Sequence, residues 1–173
     1  MNHKTNKLYS ARTAGKNASE GEDVLILVSQ ASTPESLNRL VNCLYSIVTG
    51  VETTVIFDTI PSSTYLAGER QSVPCVRLLA TASANTQLSG LPRFLEAPVL
   101  IEGVTAAILQ YCQLRKKAAY AYISLEDDLY LEAPTIIAWE PFLKLHVAHP
   151  TSSTPYNALL KMVVTHRPNS LFT

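Results

Sequence analysis

The stretch Gly103–Leu125, GVTAAILQYCQLRKKAAYAYISL, joins two patterns that belong to different kinds of secondary structure. Val104, Ala107, Ile108, Tyr111 and Cys112 recur at spacings of three and four, which places them on one face of a helix. Arg115, Lys116 and Lys117 close that helix. Three cations suit the negative end of its dipole and supply the polar break needed before the chain reverses. Ala118–Ile123 then carries no charge, the pattern of a central strand covered on both faces of an α/β sheet. A helix feeding a buried strand is the unit against which every other segment must pack.

Outward toward the N-terminus, Val24–Val28 is an unbroken aliphatic run, suited to a strand buried on both faces. Thr33 and Pro34 form a cap-plus-proline helix start, followed by Leu37, Leu40, Val41, Leu44, Ile47 and Val48 on one face and by a stop at Gly50. Val51–Phe57 alternates and is β-branched, so residues 24–57 read as a right-handed βαβ crossover with its two strands paired in parallel. Between Pro61 and Gln87 the composition shifts to Ser, Thr, Ala, Asn and Gln, broken by Val73–Leu79, a short strand or apolar plug. Pro92 and Pro98 exclude a long helix over Leu91–Leu100.

Downstream of the opening unit comes the acidic turn Glu126, Asp127, Asp128. A helix beginning near Thr135 carries Ile136, Ile137, Trp139, Phe142 and Leu143, and Pro141 should end or kink it. His146–Ser153 reads as a polar linker. Thr154 and Pro155 start a last short helix with Leu159, Leu160, Met162 and Val163 on its apolar face. The expected fold is α/β: three-layer, with a mostly parallel sheet flanked by helices, Rossmann-like but without a nucleotide-binding loop. The expected organisation is a disordered polar arm over 1–22, one α/β domain over 23–164, and a flexible tail over 165–173.

The chain of 173 residues is 47% hydrophobic, the size and content of one domain with a sizeable core. Charged residues make up 16%, with 14 basic against 14 acidic, so no global field draws the chain to nucleic acid or to a membrane surface. Cys43, Cys75 and Cys112 are far apart and odd in number, which fits free thiols in a reducing compartment and not a disulfide framework. No apolar run reaches the ~20 residues of a membrane span. Lys4, Lys7, Arg12 and Lys16 precede the first acid, as in a targeting presequence, but without an amphipathic apolar face, so targeting is the less favoured reading. The expected compartment is the cytoplasm, with the nucleus as a second.

Candidate chemistry is sparse. Glu126, Asp127 and Asp128 follow a strand at the carboxyl edge where α/β proteins bind ligands, and they would carry a metal-dependent hydrolase reading; against it, adjacent acids point in different directions and no second ligand cluster accompanies them. His146 and His149 have a spacing zinc ligands can use but lack a Cys, Asp or Glu partner nearby. Cys112 lies on the apolar face of its helix, where a packing thiol is the ordinary role. Six glycines provide no phosphate loop, dinucleotide fingerprint or G-x-S-x-G elbow. These residues point to no catalytic residue, cofactor or metal, and a degenerate α/β scaffold of some complex stays open beside the hydrolase.

The residues Ala97–Ile101 followed by Val104–Gln113, then Ala138–Leu143, Ser153–Thr154, Leu159–Met162 and Asn169–Thr173, resemble the proteasome assembly chaperone 1 family. With weaker stretches at Val24–Thr59 and Val73–Leu79, the resemblance covers about residues 23–173. Members carry a further N-terminal portion of the fold before the strand matching Val24–Val28, where this chain has only a polar arm. The resemblance implies a non-enzymatic chaperone that pairs with proteasome assembly chaperone 2 and binds the α-subunits of the 20S core particle during α-ring assembly. It also implies that the C-terminal triplet, hydrophobic-tyrosine-any in the family and Leu171, Phe172, Thr173 here, enters a pocket between two α-subunits. Phe172 departs from that pattern by lacking the tyrosine hydroxyl.

Overall fold

The computed structural model describes residues 7–12, 23–28, 33–47, 50–65, 74–127 and 133–146. By its chain contacts the protein falls into two compact units: Ala31–Leu129, and Met1–Gln30 together with Tyr130–Thr173. Both boundaries lie inside the span 23–164 that reads as one domain from sequence.

The Ala31–Leu129 unit contains α1 (Pro34–Ile47), β3 (Thr53–Pro61), β4 (Cys75–Ala80), α2 (Gly103–Leu114) and β5 (Ala118–Glu126). The other unit contains β1 (Lys7–Arg12), β2 (Asp23–Val28) and α3 (Ala133–His146). The α/β class expected from sequence holds, as a three-strand sheet flanked by helices.

The uncharged run after the three cations becomes the middle of that sheet, in the order β3-β5-β4. From Ala119 to Leu125 every residue of β5 is buried, with Ala119, Ala121, Tyr122, Ile123 and Ser124 at zero exposure. β3 runs parallel to it, Ile56 opposite Ala121, and β4 antiparallel, Leu79 opposite Ala121, so the two ladders are one of each kind. Alternation along the strands then sorts the faces. Ile56, Ala119, Ala121 and Leu79 share one face; Phe57, Tyr122 and Leu78 share the other, where the rings of Phe57 and Tyr122 stack at 5.4 Å. Burial pushes the Tyr122 hydroxyl up to about 12. Fully burying an aliphatic side chain such as Ile123 contributes about 1.5–3 kcal/mol, which makes this strand the energetic centre of the unit.

Helices α1 and α2 cover the first face through the cluster Val41, Ile108, Cys112 and Ala119, with Leu44, Tyr45, Ile56 and Tyr111 packed around it. All five residues that set the 3.6-residue period of α2, Val104, Ala107, Ile108, Tyr111 and Cys112, pack here, and Val41 and Leu44 do so from α1, whereas Ile47, expected on the same face, is exposed. α1 starts at Pro34 with the Leu37 amide donating to the Thr33 carbonyl at 3.0 Å. α2 opens on Gly103 at φ 71°, a left-handed backbone that suits only glycine at low cost. The turn from α2 into β5 is tied by the amides of Arg115, Lys116 and Lys117, which donate to the carbonyls of Tyr111, Gln113 and Cys112. Val73–Leu79 supplies β4, shifted to Cys75–Ala80. Over 91–100 there is no helix: Phe94 bridges to Leu78, with Leu78 N donating to the Arg93 carbonyl and Leu95 N to the Leu78 carbonyl.

The sheet expected to be mostly parallel is mixed, with one parallel and one antiparallel ladder, and further expectations are corrected with it. Strand 51–57 does not pair in parallel with 24–28: β3 takes β5 as its parallel neighbour, and β2 pairs antiparallel with β1, Ile26 opposite Tyr9. An aliphatic run specifies burial, not which edge it joins, and β5, buried on both sides, offers an edge to each of β3 and β4. Residues 7–12, part of the stretch expected to be a disordered arm, form β1, because an antiparallel ladder satisfies backbone groups without requiring apolar side chains. In α3 the helix passes through Pro141 to His146: proline removes its own N–H, and the Lys144–Glu140 ion pair at 2.6 Å spans the position. The last helix expected over 154–163 and the tail over 165–173 lie outside the described residues.

Candidate functional site

The carboxyl ends of β3 and β5 lie side by side, and the acidic turn sits there. Glu126 is buried and accepts a hydrogen bond from Ser124 Oγ at 2.7 Å. Asp127 is exposed and accepts one from Ser62 Oγ at 2.6 Å. Asp128 lies outside the described residues. The two acids therefore serve different partners, and among the described residues no three His, Cys, Asp or Glu side chains come together in a way that could hold a metal ion. Of the histidine pair, His146 lies in α3, where burial lowers the imidazole from its ordinary value; His149 is outside the described residues.

Next to the acidic turn the structure assembles a cluster that the sequence did not single out. Arg77, on β4 and 5% exposed, donates from Nε to Glu96 Oε2 at 3.2 Å and from Nη1 to Cys75 Sγ at 2.7 Å. Tyr65 donates its hydroxyl to the same Glu96 oxygen at 2.5 Å, and the guanidinium sits 5.6 Å from the Tyr65 ring centre. The Tyr65 hydrogen bond holds the Glu96 carboxyl below its ordinary value, and the same bond raises the Tyr65 hydroxyl. The cluster fastens the segment after β3 and the 91–98 loop to β4. Its one sequence signal is Arg77 itself, a cation inside an apolar strand, which when buried requires a carboxylate partner.

On the helix-covered face, Asp58 of β3 accepts from Thr105 Oγ1 at 2.6 Å and from the Thr59 amide at 2.8 Å, tying the first turn of α2 to the sheet. At the other end of that helix, Cys112 is fully buried, with its sulfur 2.9 Å from the Tyr45 hydroxyl, which also meets Thr54 Oγ1 at 2.8 Å. Burial, then the Cys112 contact, raises the Tyr45 hydroxyl well above its usual range. The packing role expected for Cys112 and Tyr111 is the one they play. Tyr45 and Tyr111 stack at 4.4 Å, Arg115 lies 5.6 Å from the Tyr111 ring centre, and Lys117 lies 5.5 Å from that of Tyr45. Leu171, Phe172 and Thr173 lie outside the described residues.

No protein-family model matches the chain. In sequence it is 33% identical to proteasome assembly chaperone 1 of Homo sapiens over 72 residues, which is 42% of this chain and 25% of the human protein, so the match spans a quarter of that relative's length. In structure it is similar to PbaB of Pyrococcus furiosus, an archaeal proteasome activator, with a TM-score of 0.62 and 14% identity over 92% of this chain and 68% of that one. It is also similar to a protein of unknown function from Thermoplasma acidophilum, with a TM-score of 0.59 and 14% identity over 82% of this chain and 57% of that one. The chain is thus similar in sequence to proteasome assembly chaperone 1 and shares its fold with an archaeal proteasome activator.

Proposed function

We propose that this protein is a proteasome assembly chaperone, acting without catalysis or cofactor, in the cytoplasm and nucleus, together with a second subunit of the proteasome assembly chaperone 2 type. The observation that carries the reading is the 33% identity to proteasome assembly chaperone 1, supported by the fold shared with PbaB. Its targets are the α-subunits of the 20S core particle during α-ring assembly. The contact is the C-terminal triplet. Leu171 and the Phe172 ring bury apolar surface in a pocket between two α-subunits, and the terminal carboxylate pairs there with a cation. Phe172 lacks a hydroxyl, and one missing hydrogen bond costs about 0.5–1.5 kcal/mol, which weakens docking without abolishing it. Weak docking suits a factor that must leave the assembled ring.

Deletion of residues 171–173 tests this. Capture of α-subunits by tagged protein should fall while the chaperone pair and the unfolding transition stay as in the intact chain. Unchanged capture would remove the tail from the contact.

A further inference from the structure

The end of the Ala31–Leu129 unit opposite the acidic turn carries a surface that the proposed tail contact does not use. α1 and α2 finish here together, their last turns joined by the stacked Tyr45 and Tyr111 rings. Ile47, at the end of α1, is 61% exposed, and Leu114, at the end of α2, is 75% exposed. Arg115, Lys116 and Lys117 follow directly. Arg115 and Lys117 lie against the two rings, and Lys117 Nζ also donates to the Val51 carbonyl at 3.4 Å, so these two cations are held in place. Lys116 is exposed and has φ 53°, a left-handed backbone that glycine adopts at lower cost. None of the three forms an ion pair with a carboxylate among the described residues, although Glu52 precedes β3 at the same edge.

We propose that this end of the helix pair is a docking surface for an acidic, apolar-flanked peptide segment of a partner protein. Charge complementarity names the partner's sign: three adjacent cations, backed by aromatic rings that fix two of them, form no ion pair with a carboxylate among the described residues. The aliphatic neighbours name its class. Exposed Ile47 and Leu114 add burial for a segment with apolar side chains between its carboxylates, whereas a nucleic-acid backbone has no use for them. The zero net charge of the whole chain likewise supplies no general attraction for polyanions.

Fluorescence anisotropy of the full chain with a labelled peptide of alternating Glu and Leu measures this contact, with two control probes: the same peptide carrying Gln for Glu, and a single-stranded oligodeoxynucleotide of equal charge. The Glu-Leu peptide should bind, the Gln peptide more weakly, and the oligonucleotide more weakly than the Glu-Leu peptide. Arg115→Glu with Lys116→Glu should weaken the Glu-Leu peptide about tenfold and Leu114→Ala about threefold. Lys116→Gly removes one charge while easing the backbone, so it should bind more weakly yet unfold no earlier than the parent, which separates loss of contact from loss of fold. Equal binding of Glu and Gln peptides, unchanged affinity in the double reversal, or an oligonucleotide bound as tightly and lost in the same variants would overturn the proposal.

Discussion

Replacing Thr105 by Val probes the join between α2 and the sheet with little change of shape. Thr105 is 4% exposed, and its hydroxyl donates to Asp58 Oδ2 at 2.6 Å, a distance in the range of hydrogen bonds to charged oxygens. Valine fills the same space without the donor, so Asp58 keeps only the Thr59 amide. Hydrogen bonds to charged groups contribute about 1.5–3 kcal/mol, and Asp58 is half-buried, so water recovers part of the loss. The expected destabilisation is about 2 kcal/mol, or about 4–8 °C in Tm for a chain of this size. Urea unfolding of Thr105→Val, Asp58→Asn and the double variant should show a coupling energy near the single-variant cost. Thr105→Ser, which keeps the hydroxyl, should lose under about 1 kcal/mol. A Thr105→Val protein within about 0.5 kcal/mol of the parent, or a Ser variant as costly as the Val one, would refute the account of this contact.

Ile123→Ala, at zero exposure on the central strand, should cost about 3–5 kcal/mol by urea unfolding, well above any surface substitution. Because the Tyr65 bond depresses the Glu96 carboxyl, its contribution is present above the ordinary carboxylate value of 4.5 and is lost as pH falls through the lower folded value. Tyr65→Phe should therefore be less stable than the parent by about 0.5 kcal/mol at neutral pH, a small effect for a largely exposed pair, with the two stability curves meeting in acid. If the tail docks as proposed, Phe172→Tyr restores a hydroxyl and should tighten α-subunit binding by about twofold to tenfold in a titration of purified components.

Much of the helix-and-strand core was legible because it rests on period and charge. The face Val104–Cys112, the cationic break at 115–117 and the uncharged run after it are local signals, and each became the expected element. Pairing was less legible. Nothing in Val24–Val28 distinguishes β1 from β3 as a neighbour, and Lys7–Arg12, with Leu8, Tyr9 and Ala11 set among polar and basic residues, lacks the continuous or β-branched apolar run that marks a strand. The Tyr65–Arg77–Glu96 cluster joins residues too far apart for any spacing rule, and only the lone cation in β4 hinted at it. Tyr111 falls on the periodic face of its helix; that it stacks on Tyr45, and that the two rings gather Arg115 and Lys117, follows from α1 and α2 lying on the same face of the sheet. The α-subunit role of the tail triplet came from the family resemblance, since three residues carry no period.

The central claim is that this chain binds proteasome α-subunits together with a second chaperone. It is tested most directly by affinity purification of tagged full-length protein from its own cells, with the bound proteins identified by mass spectrometry. α-Subunits of the 20S core and one chaperone partner should be recovered, with the α-subunits reduced when residues 171–173 are removed. Recovery of the intact chain with neither α-subunits nor a chaperone partner would contradict it.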